Sequence, residues 1–152
     1  MSERLIDSKD FGVLAEELIK NGGSFRFQAR GSSMHPFIRD GETVEITAVD
    51  PDRIRLGDIV FCRLAENRLV LHRVVAIQRT AGMRVFLLQG DAHFWNDGFV
   101  DASQVIGRAA ALLRQGKWVS LDAFPLSFYA RLWRFIIPFR RFIVQMVRRI
   151  RP

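Results

Sequence analysis

Apolar and polar side chains alternate through the centre of the chain, in several short segments between residues 24 and 113. Successive side chains of a strand point to opposite faces of a sheet, so this period is typical of half-buried strands. The predicted strands comprise residues 25–30, 44–48, 58–63, 69–78, 83–89, 104–113 and 117–121. Turn-forming pairs such as Asp40-Gly41 and Asp50-Pro51 separate them. Many short strands without alternating helices predict a mainly β, antiparallel, partly barrel-like domain.

The period changes to that of a helix near the N-terminus, over residues 8–21. Ser8 can cap the first turn, and Gly22-Gly23 ends the pattern. The apolar residues of this segment fall on one helical face and are Phe11, Leu14, Ala15, Leu18 and Ile19. A short helix that covers the core of the β domain is therefore expected.

Length and composition limit the class of protein. A chain of 152 residues, 49% of them hydrophobic, is expected to fold as one domain with one substantial core. Cys62 is the single cysteine, so no disulfide can form within the chain. Residues 1–10 are largely polar and the first apolar segment is amphipathic, so no secretory leader is expected there.

The positive charge of the chain is concentrated at its C-terminus. Residues 1–122 hold 16 basic and 16 acidic side chains, whereas residues 123–152 hold seven arginines and no acid. The body of the protein is therefore neutral, and this disfavours a role in binding nucleic acid. The chain divides into a β-rich domain, residues 1–122, and a basic C-terminal segment, residues 123–152.

The basic segment has the pattern of an amphipathic helix over residues 126–150. Its wide face is apolar and aromatic, its narrow face is cationic, and Pro138 is expected to kink or divide it. No apolar run reaches the length of about 18 residues that a bilayer span requires. Peripheral binding to an anionic membrane surface, on the cytoplasmic side, is predicted. A helix packed on its own domain or on a partner protein is the alternative. The predicted membrane-binding residues are Arg131, Trp133, Arg134, Arg141, Arg148 and Arg149.

A serine, a histidine and two aspartates stand in the order expected of a serine hydrolase. Ser33 follows a glycine-containing stretch, His72 lies within an apolar predicted strand, and Asp91 and Asp97 flank a turn after another strand. A serine hydroxyl needs a base within hydrogen-bond reach, and that base needs a partner that orients it. Burial would keep the ring of His72 neutral and able to accept a proton.

Two further histidines compete with His72 for the role of base. His35 is nearly adjacent to Ser33, and His93 lies in a turn where exposure to solvent is the simpler expectation. A metal site from the three histidines and Cys62 lacks any pair of ligands at short spacing, so no metal and no organic cofactor are expected. Cys62 is expected to fill the core instead.

Order and spacing together resemble the Ser-His-Asp branch of the type I signal peptidase family. The resemblance covers about residues 24–110, and its motifs are Ser33-Met34-His35-Pro36, Asp40-Gly41-Glu42, Gly57–Val60, His72–Val75 and Gly90-Asp91 with Asp97. It implies the β-rich peptidase fold that this family shares with self-cleaving repressors.

The resemblance also implies a role for each matched residue. Ser33 would be the nucleophile, His72 the general base and Asp97 the acid that orients it, with Asp91 as a supporting carboxylate. Gly31, Ser32 and Met34 would bind substrate or the oxyanion. The chain departs from the family at Gly31, where many members carry a serine, and in lacking an N-terminal membrane anchor. The cationic C-terminal helix is expected to replace that anchor.

The sequence thus predicts a serine endopeptidase at a membrane surface that cleaves a leader or signal-like peptide. A self-cleaving, repressor-like regulator is a second hypothesis, but only about 23 residues precede the β region, too few for a helix-turn-helix domain. A non-catalytic peptide-binding or partner module on the same fold is the third. The distance between the Ser33 hydroxyl and the His72 ring is the observation that best separates them.

Overall fold

A computed structural model describes residues 8–122 of the protein. These residues form one α-helix, α1 (Ser8–Lys20), followed by eight strands and, between them, three short 3-10 turns. The strands are β1 (Ser24–Gln28), β2 (Thr43–Thr47), β3 (Ile59–Arg63), β4 (Leu69–Thr80), β5 (Met83–Gln89), β6 (Gly98–Asp101), β7 (Val105–Arg114) and β8 (Lys117–Ser120). The predicted mainly β class is confirmed. The predicted C-terminal amphipathic helix, with all six predicted membrane-binding residues, lies outside the described residues.

All the strands belong to one antiparallel sheet in the order β1-β2-β7-β3-β4-β5-β6. The long strand β7 pairs with β2 along one edge and with β3 and then β8 along the other. The register shifts in β2 between Glu45 and Ile46, in β3 between Phe61 and Cys62, and in β4 between Val74 and Ala76. Such irregularities increase the local twist of a sheet. The sheet is curled into a half-barrel, consistent with the predicted partly barrel-like form.

Two hydrophobic clusters form the core, one on each side of the curled sheet. The first lies beneath α1 and includes Ile46, Phe61 and Leu112. The second is enclosed by β3, β4 and β5 and includes Val60, Val74 and Phe86. Because both faces of the central strands are covered, β3 reads as a continuous apolar run rather than as an alternating one.

The helix α1 packs on the sheet through one narrow face. Ala15 and Ile19 are buried, and the side chain of Ile19 lies against Gly107 of β7. A Cβ at Gly107 would come within 2.6 Å of both the carbonyl oxygen of Thr47 and the side chain of Ile46. The absence of a side chain at Gly107 therefore allows this close approach of helix and sheet.

The predicted apolar stripe of α1 is only partly buried. Leu14 and Leu18, which the pattern placed on the inward face, are each 41% exposed. The arc that reaches the sheet holds Phe11, Ala15 and Ile19, so the two leucines lie at its side and face solvent. In residues 8–122 no helix is both long and apolar enough to cross a lipid bilayer.

Candidate active site

Two loops meet beside the middle of β4 and bring the predicted site residues together. The first loop connects β1 to β2 and carries Ser33, and the second connects β5 to β6 and carries residues 90–97. The backbone N–H of Ala92 donates to the carbonyl oxygen of Ser33 over 2.8 Å, which joins the loops directly. The N–H of Asp97 donates to the carbonyl oxygen of Leu88 over 2.9 Å and closes the second loop.

The Ser33 loop is anchored on both sides of the serine. Met34 is 4% exposed and packs in the core cluster beneath α1, together with Ile38. Gly31 has a positive φ of 89°, which favours glycine, and its N–H donates to Asp40 Oδ1 over 2.7 Å. The side chain of Met34, predicted to bind substrate, is instead part of the core.

The ring of His72 is buried in β4 and bonded to Asp97. His72 is 4% exposed, and its Nδ1 lies 2.5 Å from Oδ2 of Asp97, whose side chain is 6% exposed. The predicted contact between these two residues is therefore present, and Asp91 does not make it. A carboxylate on Nδ1 stabilises the tautomer in which Nδ1 carries the proton, so Nε2 is left as a proton acceptor.

Burial and the Asp97 carboxylate shift the pKa of His72 in opposite directions. Desolvation lowers the pKa of the ring below its ordinary value of 6.5, and the Asp97 carboxylate partly opposes this. His93 and Arg68 lower the pKa further through their charges. Burial has the larger effect, so the ring is neutral at pH 7 and can accept a proton.

Gly90 lies where Ser33, His72 and His93 converge. A Cβ placed on Gly90 would be 2.7 Å from the carbonyl oxygen of Ser33, 3.1 Å from Nε2 of His72 and 3.0 Å from Nδ1 of His93. The main chain of Ser33 and the free nitrogen of His72 thus crowd the same point, and a side chain at residue 90 would collide with them. In the described part of the chain, no hydrogen bond joins the Ser33 hydroxyl to His72; such contacts are often loose before substrate binds.

Asp91 forms a buried ion pair that sequence reasoning did not anticipate. Its two carboxylate oxygens each accept a hydrogen bond of 2.7 Å from Arg73, and Arg73 also donates to the carbonyl oxygen of Gly57. The Arg73 guanidinium lies 4.8 Å from the centre of the Phe37 ring, which belongs to the Ser33 loop. Asp91 therefore supports the site from the opposite face of β4, by holding both loops against the strand.

The expectation that His93 is simply an exposed turn residue is wrong. Its ring lies edge-on to the ring of His72, with centroids 5.7 Å apart and planes at 84°, and it stacks on Trp95 at 4.7 Å. The N–H of His93 donates to the carbonyl oxygen of Gly90 and closes a turn, and Nδ1 of the half-buried ring is inaccessible to solvent. No local pattern in the sequence marks this position.

One of the residues that the resemblance implied for the oxyanion has its N–H already hydrogen-bonded within the loop. The N–H of Gly31 is engaged by Asp40, and Gly31 and Ser32 are both exposed. The backbone N–H of Ser33 is the donor nearest the Ser33 hydroxyl, since both belong to the same residue.

Cys62 packs in the core, where burial raises the pKa of its thiol to about 12. Residues 8–122 contain no group of three histidine, cysteine or acidic side chains placed to hold a metal ion. No protein-family model matches the chain, and no curated protein sequence matches it.

We expect an NMR titration to find the pKa of His72 below 6.5, because burial disfavours the charged ring. Asp97→Asn should lower it further, since the carboxylate raises it, whereas Arg68→Gln should raise it. Protonation then favours the unfolded chain, so this contribution to stability is present above pH 6.5 and is lost as the pH falls through the lower, folded-state pKa. Identical titration in Asp97→Asn and the unsubstituted protein would contradict the assigned contact.

Asp91→Ala should lower the free energy of unfolding by about 3–5 kcal/mol, because it leaves the Arg73 guanidinium buried without its partner. Denaturation by urea measures this change. Asp52→Ala removes an exposed carboxylate and serves as the control, with an expected effect within about 0.5 kcal/mol. Equal stability of the two variants would exclude a structural role for the ion pair.

Proposed function

We propose that the protein is a serine endopeptidase, similar in mechanism to the Ser-His-Asp branch of the type I signal peptidases. The observation that carries the proposal is the arrangement of His72, whose Nδ1 is held by Asp97 while its Nε2 and the carbonyl oxygen of Ser33 both lie within 3.1 Å of one point beside Gly90. The motif resemblance is a second, independent support. Peptide bonds in leader or signal-like peptides, with small residues before the cut, are the proposed substrates and rest on that resemblance.

The proposed first step is attack by the hydroxyl oxygen of Ser33 on the substrate carbonyl carbon. His72 Nε2 takes the hydroxyl proton, and Asp97 stabilises the imidazolium that results. The N–H of Ser33 donates to the oxyanion that develops on the substrate. His72 then gives its proton to the leaving amine, and the new N-terminus departs from an acyl-enzyme on Ser33.

The edge of the sheet offers a place for an extended substrate. In the described chain β1 pairs only with β2, so its outer edge carries backbone groups without strand partners. This strand leads through Ala29 into the loop of Ser33. A peptide laid along that edge as an added strand would bring its backbone toward the serine.

A non-catalytic peptide-binding module is the second candidate. It is favoured by one observation, that the Ser33 hydroxyl and the His72 ring are not hydrogen-bonded to each other in the described structure. The two candidates agree on the peptide partner and differ only in whether Ser33 reacts.

Labelling with a fluorophosphonate probe separates the candidates. Ser33 should be phosphonylated, and Ser33→Ala and His72→Ala should each lose nearly all labelling and peptidase activity. The double variant should be little worse than either single one, because the two residues act as a unit. Activity should fall at low pH as His72 is protonated, with a midpoint below 6.5.

The matched controls are Ser24→Ala, in the exposed part of β1, and His35→Ala, in the loop of Ser33. Both should retain labelling and activity. If Ser33→Ala is still labelled, the nucleophile is another residue. If the unsubstituted protein is not labelled, the peptidase proposal fails and the non-catalytic peptide-binding module is favoured.

We also propose that residues 123–152 bind the protein to the surface of an anionic membrane. Their seven arginines without an acid, and the aromatic face of the segment, support this. Co-sedimentation with phosphatidylserine vesicles should be strong for the full chain and lost on truncation after Asp122. Salt should weaken it, since arginines near an anionic surface each contribute about 1 kcal/mol. Equal sedimentation of both forms would leave the segment as a packing or partner helix.

A further inference from the structure

An apolar stripe on α1 stays exposed after the helix has packed on the sheet. Leu14 and Leu18 are each 41% exposed, and Phe11 beside them is only partly buried in the core. These three residues follow one another at intervals of three and four, so they lie on one narrow face of the helix. The stripe adjoins the buried arc of α1 and extends the core to the surface of the domain.

An acidic rim runs along the solvent side of this stripe. The stripe takes the a and d positions of a heptad, which places Asp10 and Glu17 at the flanking g positions. Among the described residues neither of these carboxylates has an ion-pair partner, whereas Glu16 on the opposite flank pairs with Arg63 over 2.8 Å. A helix that covers the stripe would therefore gain from a basic residue on the matching side of its own rim.

The stripe is too small for a stable interface with a separate protein. Two partly exposed leucines offer far less than the area of about 800 Å² that each partner buries in a standard interface. A segment of the same chain needs much less contact, because a short linker holds it at an effective concentration in the mM range. The size of the stripe therefore favours an occupant from this chain.

The described chain ends close to α1. The N–H of Leu121 donates to the carbonyl oxygen of Ala110 over 2.8 Å, and the side chain of Leu121 packs against the core cluster beneath the helix. Ala110 is three positions along β7 from Gly107, which Ile19 contacts near the C-terminal end of α1. The three residues after Asp122 can span about 10 Å. A helix that follows them can therefore begin beside the last turn of α1.

The basic segment carries a matching helix face just after that point. Phe128, Leu132 and Phe135 follow one another at intervals of four and three, which reverses the order in α1 and suits an antiparallel partner. The same heptad places Arg131 at a g position. The g positions of two antiparallel helices face each other, so Arg131 would lie beside the carboxylate of Glu17.

We propose that residues 126–137 form a helix that docks antiparallel on the stripe of α1. Leu132 then packs against Leu14 at the centre of the seam. Two of the seven arginines precede Pro138 and five follow it, so the docked half is the less basic one and the other half stays available to the membrane proposed above. The docked half joins the domain to that membrane-binding half. The inference goes beyond the peptidase proposal and does not depend on it.

Thiol accessibility in the full chain, without lipid, tests the docking. Leu18→Cys places a reporter under the docked helix, while the native Cys62 is fully buried and burial raises the pKa of its thiol to about 12, so it stays unreactive in a folded domain. Leu132→Asp puts a charge into the seam and should raise the rate of N-ethylmaleimide alkylation at residue 18 about 10-fold. Ile143→Asp, the matched change in the second half of the segment, should leave that rate unchanged.

A pair of cysteines tests the register of the two helices. Leu14→Cys with Leu132→Cys should form a disulfide within one chain, in a glutathione buffer and at micromolar protein. Val13→Cys with Leu132→Cys is the control, because Val13 is 43% exposed but lies on another side of α1. The disulfide of the control pair should be about 10-fold less populated.

The outcomes decide the docking separately from the other proposals. If Leu132→Asp leaves the alkylation rate at residue 18 unchanged, or if the two cysteine pairs form disulfides equally, the docking is overturned. Protection of residue 18 that is lost on dilution would assign the stripe to a second copy of the chain and would also overturn it. A variant whose Cys62 reacts has unfolded, and the cysteine pairs then decide. Neither readout involves Ser33 or vesicles, so failure of the peptidase or membrane proposal leaves the result intact.

Discussion

The close contact of Gly90 with the Ser33 loop is the constraint on which the rest of the site depends. A side chain at residue 90 would collide with the carbonyl oxygen of Ser33 at 2.7 Å, and backbone cannot yield as the end of a flexible side chain can. The glycine therefore sets how near the serine comes to the buried ring of His72. The hydrogen bond from Ala92 to Ser33 fixes the same two loops in register.

Each face of β4 carries one buried polar pair that supports this contact. On one face His72 meets Asp97, and on the other Arg73 meets Asp91 and lies over Phe37. Both pairs are buried, so each side chain relies on its partner in place of water. Neighbouring residues of a strand point to opposite faces. Both of these polar pairs can therefore be buried only where both faces are covered, as they are at the centre of this curled sheet.

The site lies where two loops meet, and these loops are anchored to the core. Loops that are anchored by core residues, as Met34 anchors the first, can hold reactive groups at the surface without losing their geometry. The ring of His72 lies neutral inside the domain, while Ser33 and His93 approach it from the loops. The burial that lowers the pKa of His72 also keeps the ring free to accept a proton at neutral pH.

The sequence by itself determined the strands, the short N-terminal helix and the chemical types at the candidate site. Alternation predicted most strands because it records which positions are half-buried, and the family resemblance implied that Asp97 would orient His72. It missed β6, whose four residues are too few to establish a period, and it placed Leu14 and Leu18 inward although only one arc of α1 reaches the sheet. Only the tertiary structure decided that Arg73 pairs with Asp91 and that His93 faces His72. These contacts join residues of different elements through the pairing of β4 with β5, and local pattern carries no information about such pairing.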